Sequence, residues 1–273
     1  MTPRLSIVIP VWNDHAALAG CLDRLRSPDA PPTEIIVCDA TADPAERDLN
    51  AQLAAARHAR LLAAPQPSRG AQLAAGAAAA TGDIIVFSHA DTHLESRHLH
   101  ALTLHLDLHP ETTAGAFHRD VASLYPALAW ASPAIHWYMA ELGILYGDQS
   151  PFIRRTALDR LGGYPALPLL EDVAFSDQLR HHLPKHELTL LTPTLPTSPR
   201  QFIRHGRLRT RLRNLAFLTA WRLHLTTPER LHQLYYHQGT GDRGQEPGTR
   251  DQGPGTRGQG PGARGQGTGA RGR

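Results

Sequence analysis

Long hydrophobic runs are missing from this 273-residue chain. None approaches the ~18–20 consecutive apolar residues that cross a bilayer, so an integral membrane protein is not expected. Cysteine is scarce: Cys21 and Cys38 are the whole complement, too few for a disulfide framework. Met1-Thr2-Pro3-Arg4 leads straight into a short strand and lacks the pattern of a signal peptide. A cytoplasmic location is therefore expected. Lysine is nearly absent, Lys185 being the single example. Also absent is a glycine-rich phosphate loop. Neither G-x-G-x-x-G after a strand nor G-x-x-x-x-G-K-[ST] occurs, which argues against dehydrogenase and P-loop chemistry.

What is present is globular in character, with 41% apolar residues, and long enough to bury a full core. Charge divides unevenly along the chain. From Gly239 onward there are six arginines against Asp242, Glu246 and Asp251. The remainder holds 22 basic and 22 acidic residues (28 − 6 and 25 − 3). The folded part is thus formally neutral, and its charge gives no ground for specific nucleic-acid binding. In the tail, Arg243, Arg250, Arg257, Arg264 and Arg271 recur every seventh residue with nothing apolar between them. Such a segment cannot bury surface and is expected to be disordered. A dispensable repeat-derived extension and a weak RNA contact are both compatible with it.

The first half reads β-α-β-α-β-α-β. Leu5–Val11, Glu34–Asp39, Leu61–Ala64 and Ile84–Phe87 are strands. Helices are expected at about 16–26, 45–57 and from Ser68 to a Gly82 C-cap. Short connections of this kind build a mostly parallel sheet with helices on both faces. The run Gly82-Asp83-Ile84-Ile85-Val86-Phe87-Ser88-His89-Ala90-Asp91 organises the rest. Its apolar, largely β-branched middle suits a strand covered on both sides. Residues two apart on a strand share a side, so His89 and Asp91 are expected to face one ligand beyond the strand end. Asp91 there would suit a divalent cation, or else it merely caps the next helix. Asp39 ends a second strand in the same way.

The second half is less regular. Tyr125–Leu145 is apolar and aromatic, reading as a core or partner-facing helix. Glu171-Asp172 opens a helix running to about His182. Arg204–Leu225 reads as a basic amphipathic helix, which fits either a solvated face or an anionic membrane surface.

Several segments together resemble family 2 glycosyltransferases of the GT-A fold, and within them the subgroup of rSAM/selenodomain-associated transferases. They are Ser6–Asp14, Glu34–Asp39, Ser68–Leu73, Gly82–Thr92, Tyr146–Gln149, Gly162–Pro165 and Leu170–Val173, in the right order over residues 5 to about 238. The resemblance implies a Rossmann-like GT-A domain over 1–238, with a nucleotide-binding half (1–110) and an acceptor half (111–238), followed by the tail 239–273. It implies that Pro10 and Val11 line a nucleobase pocket beside Asp14, and that Asp39 accepts a hydrogen bond from the base. Arg69 and Ala90 would lie near the nucleotide's phosphates. Asp91, with His89 two residues before it, would hold Mg²⁺ or Mn²⁺. Asp172, paired with Glu171, would supply the catalytic base.

The activity so implied is transfer of one sugar from a nucleotide-sugar donor to an unidentified acceptor hydroxyl, with inversion. The cation offsets charge on the departing diphosphate, and a carboxylate takes the acceptor's proton. This chain departs from the family pattern at His89, where an Asp is usual, and at Ala74, where relatives often have Asn. Q-x-x-R-W is missing, which argues against processive synthesis. Two rivals stand beside the transferase: a nucleotide-sugar-binding scaffold without turnover, and a nucleotidyltransferase on a related sheet.

Overall fold

A computed structural model describes residues 3–120, 145–196 and 216–237. The body is a seven-stranded sheet with strands in the order β3-β2-β1-β4-β6-β5-β7. The strands are β1 (Leu5–Val11), β2 (Thr33–Asp39), β3 (Arg60–Ala63), β4 (Ile84–Phe87), β5 (Ala114–Arg119), β6 (Phe152–Arg154) and β7 (Leu188–Leu195). β6 runs antiparallel to both its neighbours, β4 and β5; every other pairing is parallel. The expected mostly parallel α/β architecture is what forms.

Helices α1 (His15–Leu25), α2 (Pro44–Ala56), α3 (Arg69–Ala79) and α4 (Ser96–Leu108) follow the first four strands. α5 (Arg155–Arg160) and α6 (Glu171–His182) lie in the second half. Residues 216–222 and Pro228–His237 are also helical.

The strand alternation explains why both faces must be covered. Ile7, Ile9 and Val11 enter one core with Leu18, Leu22, Ile35, Val37 and Leu99. Val8, between them, enters the other with Ile36, Cys38, Leu73, Phe175 and Leu179. Period two thus sends alternate residues of one strand to opposite layers. α1 and α4 serve the first layer, α3 and α6 the second.

Local caps follow the sequence closely. Asp14 accepts from Ala17 N at 3.1 Å and starts α1. Asp43 accepts from Ala45 N, with Pro44 in the first turn of α2. One expectation fails: Gly82 does not cap α3, which ends at Ala79 with Ala80 already extended. Gly82 instead donates its N–H to Ser6 Oγ at 2.8 Å and accepts from Arg155 Nε at 2.8 Å. Those bonds fasten the entry of β4 to β1.

Most of the apolar stretch Tyr125–Leu145, the arginines Arg204–Arg213 of the basic stretch, and the tail 239–273 lie outside the described residues. Among the described residues, no helix is long and apolar enough to cross a membrane.

Candidate active site

In an open α/β sheet the ligand crevice lies beyond the carboxyl ends of the strands, where the strand order reverses. Here that point is between β1 and β4. Val11 and Asp39 are register partners at the ends of β1 and β2. Gln72 on α3, which the sequence reading gave no role, binds the two ends together. Its Nε2 donates to Val11 O at 2.9 Å and to Cys38 O at 2.7 Å. Val11 O also accepts from Ala40 N at 2.9 Å, so both its lone pairs are used. Pro10 and Val11 therefore form a rigid edge for any base beside them. Asp14, expected near the nucleotide, is exposed and occupied as the cap of α1.

Asp39 is buried, at 1% exposure, and both its oxygens are engaged. Oδ1 accepts from Thr41 N at 2.8 Å and Oδ2 from Asn50 Nδ2 at 3.0 Å. Asn50 reaches on to Thr41 Oγ1 at 3.3 Å and to His15 Nδ1 at 2.8 Å. The carboxylate has lone pairs left for one more donor, but its orientation is set by this buried network.

β4 stops at Phe87, so the alternation expected to align His89 with Asp91 does not reach them. A turn closes instead, with Thr92 N donating to His89 O at 3.0 Å. α1 holds that turn from behind: Arg24 Nη2 donates to Ala90 O at 3.5 Å and Thr92 O at 3.3 Å. Ala90 is buried and serves as packing, while the Asp91 side chain is exposed. His89 turns inward. A Cβ on Gly147 would lie 2.5 Å from its Nε2. Burial, assisted by the Arg69 charge, pushes its pKa down to about 3, so the ring is neutral.

Arg69 and Glu171 come from opposite halves of the chain and meet as an ion pair. Ser68 Oγ caps α3 immediately before Arg69. Gly70 lets that helix start touch the loop before α6, since a Cβ there would sit 2.2 Å from Leu167 O. Glu171 is 1% exposed while Arg69 is about half exposed. Burial raises the Glu171 carboxyl, Arg69 pulls it down and Asp172 raises it again, leaving it above its ordinary value. Its Oε2 has no hydrogen-bond partner among the described residues. Beneath lie Phe87, Tyr164 and Phe175, with ring centroids 4.3 to 5.5 Å apart.

Asp172 is half-buried at the start of α6. Its Oδ2 accepts from Gly147 N at 3.1 Å and its Oδ1 from Val173 N at 2.8 Å. Asp148, not singled out from the sequence, pairs with Arg119 at the end of β5, and Arg119 also lies over the Tyr146 ring at 5.0 Å. Burial raises the Asp148 carboxyl. The Arg119 charge opposes that, and the charges of Asp172 and Asp91 add to it. Asp91, Asp148 and Asp172 thus share one electrostatic environment, facing Arg69 and Arg119. The signal that would have found Asp148 and Arg119 is their side-by-side position at the sheet's end, which depends on the antiparallel insertion of β6.

Among the described residues, no group of three or more His, Cys, Asp or Glu side chains could hold a metal ion unaided. An exposed Asp91 with Asp148 nearby still offers hard oxygen ligands. Mg²⁺ and similar ions are commonly held by one or two carboxylates, with phosphate oxygens and water completing the shell. The donor set fits that mode. His89, neutral but turned under Gly147, adds at most a nitrogen from below.

Residues 6–140 match the family model described as Glycosyl transferase family 2. A sequence comparison with curated proteins finds no match. Among solved structures, a mannosyltransferase from Pyrobaculum calidifontis in complex with GDP-Man and Mn²⁺ is similar over 72% of this chain. Its TM-score is 0.53 and identity 19%, and the chain spans only 57% of its length. Glucosyl-3-phosphoglycerate synthase from Mycobacterium tuberculosis, in complex with Mn²⁺, UDP-Glc and phosphoglyceric acid, gives 0.52 at 20% identity over 72% of each chain. TarS of S. aureus gives 0.53 at 15% identity over 73% of this chain and 62% of its own. Likeness at such identities is likeness of fold. The fold so shared is the GT-A fold, and the stretch that matches the family 2 glycosyltransferase model includes five of the seven strands, β1 to β5.

Proposed function

We propose that this glycosyltransferase moves a single sugar from a nucleoside-diphosphate sugar to an acceptor hydroxyl, with inversion and with Mg²⁺ or Mn²⁺ bound. The observation that carries the reading is the division of acidic groups between two elements distant in sequence. Asp91 is exposed beyond β4, and Asp172 opens α6, with Arg69 between the two halves. An inverting displacement needs that division, because the base must approach the anomeric carbon from the side opposite the leaving group.

In this reading Asp91 holds the cation, with Asp148 beside it, and His89 contributes at most a secondary contact. The bound cation would offset charge developing on the departing diphosphate. Arg69 would lie near the same oxygens while staying paired with Glu171. Pro10, Val11 and the Asn50-held Asp39 frame the nucleobase, and a carboxylate that only accepts suits a base presenting an N–H, such as uracil, thymine or guanine. Asp172 takes the acceptor's proton. Glu171 does not act as the base: it is buried beneath Arg69 and holds that guanidinium in place. Glu171 thus moves from the catalytic pair to a positioning role.

The test is a thermal-shift titration with UDP, GDP and dTDP, each with and without Mn²⁺, alongside release of nucleoside diphosphate from UDP-glucose and GDP-mannose. Mn²⁺-dependent stabilisation that Asp91→Asn abolishes is expected, as is turnover that Asp172→Ala abolishes while nucleotide still binds. Binding without turnover from either donor would favour the scaffold. Release of pyrophosphate from a nucleoside triphosphate would favour the nucleotidyltransferase.

A further inference from the structure

The turn after Leu145 is built into both the sheet and the first turn of α6. On the sheet side, Gln149 Nε2 donates to Phe117 O at 3.1 Å, and its Oε1 accepts from Tyr146 N at 3.0 Å. Ser150 adopts a left-handed conformation, φ 46° and ψ 65°. That places its hydroxyl 3.2 Å from Ser88 Oγ. Phe87 N donates to Pro151 O at 2.8 Å. The turn is therefore fixed to the ends of β4 and β5 by bonds from every residue between 149 and 151.

On the helix side, two residues one turn apart on α6 grip the same segment. Ser176 Oγ accepts from Leu145 N at 2.8 Å and lies 3.0 Å from Leu145 O. Asp172 Oδ2 accepts from Gly147 N at 3.1 Å. Residues four apart share a helix face, so 172 and 176 form one contact strip. Ser176 is fully buried; its oxygen accepts from Leu145 N while its single proton has Asp172 O at 2.8 Å and Leu145 O at 3.0 Å in reach, so it ties residue 145 to the main chain of Asp172. A Cβ at position 147 would come within 2.5 Å of His89 Nε2, so the imidazole would have to shift to admit one. The residue that bonds Asp172 through its N–H is thus packed directly against the imidazole of His89.

We infer that Gly147 and Ser176 are positioning residues for the transfer step: they fix the Asp172 carboxylate, through the turn 145–150, at a set distance from the sheet end where the donor lies. This rests on the reading of Asp172 as the base. It extends that reading by assigning the geometry of the base to a main-chain amide and a buried serine with no contact to substrate. A base displaced by about 1 Å can lose on the order of 100-fold in rate while ground-state binding is unaffected.

The experiment compares Gly147→Ala, Ser176→Ala and Asp172→Ala with the full-length protein. Release of nucleoside diphosphate from UDP-glucose and GDP-mannose with Mn²⁺ is measured together with the thermal shift given by UDP and Mn²⁺. Gly147→Ala and Ser176→Ala are expected to lower kcat at least ~10-fold, and Ser176→Ala, which does not touch His89, to do so with donor KM and the UDP shift unchanged. Amide exchange over 145–149 gives a readout that needs no turnover: Asp172→Ala should speed exchange at Gly147 at least ~10-fold, and Asp91→Ala should not. If Asp172→Ala is inactive but the other two variants turn over like the wild type, the inference is overturned and the base assignment survives. If Asp172→Ala is fully active, the base assignment itself falls. Exchange at Gly147 that ignores Asp172→Ala overturns the inference whatever the donors do.

Discussion

Acid should destabilise this protein in part through the ring of His89. His89 is driven down to about 3 from an ordinary 6.5, by burial under Gly147 and by the Arg69 charge. The unfolded chain therefore takes up this proton long before the folded chain does. Stability supplied by keeping the ring neutral is intact above about 6.5 and falls steadily as pH drops toward 3. Each pKa step is worth about 1.4 kcal/mol. At pH 7 the loss from this group is about 0.2 kcal/mol, and at pH 5 about 2 kcal/mol. Urea denaturation of metal-free protein in EDTA, at pH 7, 6 and 5, reads this directly. His89→Gln keeps a polar side chain of similar reach and removes the titration. Its stability should fall less than that of the wild type between pH 7 and 5, by about 2 kcal/mol. The remaining histidines titrate in both proteins and cancel in the difference. Two parallel stability curves would refute the reasoning, since the ring would then be protonating as freely in the fold as in the unfolded chain.

Two further substitutions test supports at opposite ends of the sheet, Glu34 at the amino end of β2 and Arg69 at the site. Glu34 is partly buried, which raises its carboxyl, but bonds from Ser6 Oγ, Thr81 N and Thr81 Oγ1 outweigh burial and hold it below its usual value. Glu34→Gln should cost about 1 kcal/mol at neutral pH. The difference should shrink as pH falls through the carboxylate range, because the wild type then loses the same charge; equal costs at pH 7 and pH 3 would contradict this. Arg69→Met strands the buried Glu171, so the melting curve should report a loss of about 3 kcal/mol, the lower end for an orphaned charge because Arg69 is half-exposed. The double variant Arg69→Met with Glu171→Met should recover most of it, and failure to recover would show that the pair is not what the two halves share there.

The nucleotide-side architecture was legible because it is local. Strand, short loop and helix alternate from Leu5 to Leu108, and β1, β2 and β4 carry the apolar runs that a doubly covered sheet accepts, while β3 is a half-exposed edge. Caps at Asp14, Asp43 and Ser68 are matters of a few adjacent residues. Gly82 was misread because a glycine after an alanine-rich helix looks like a C-cap, while its real constraint comes from β1, far away in sequence. His89 and Asp91 were aligned by strand periodicity, but β4 is four residues long and hands over to a turn before reaching them. Asp148, Arg119 and Ser176 were silent because their partners lie 29 to 31 residues away or more. Nothing in a short window announces an antiparallel strand slipped between β4 and β5.

Charge at the sheet end then decides what can bind there. Glu171, Asp148, Asp91 and Asp172 bring four carboxyl groups; Arg69 and Arg119 bring two cations, already paired with Glu171 and Asp148. His89, held neutral, adds nothing to either side. The pairs cancel and leave Asp91 and Asp172, with Asp39 held by neutral donors at the end of β2, so the crevice is anionic before any donor arrives. A nucleoside diphosphate sugar adds further negative charge on oxygens that would lie beside Asp91, and like charges at a few ångströms in a partly desolvated crevice repel by several kcal/mol. Releasing Arg69 to the diphosphate would orphan the buried Glu171, at the cost just described. A divalent cation held by Asp91 would offset that repulsion and leave both ion pairs in place. Had position 89 carried the Asp usual in the resembling family, a third unpaired carboxylate would face Arg69 and compete with Glu171 for it. A neutral imidazole there adds no competitor for Arg69, which stays paired with Glu171, and under the proposed function the exposed Asp91 would be left to the cation.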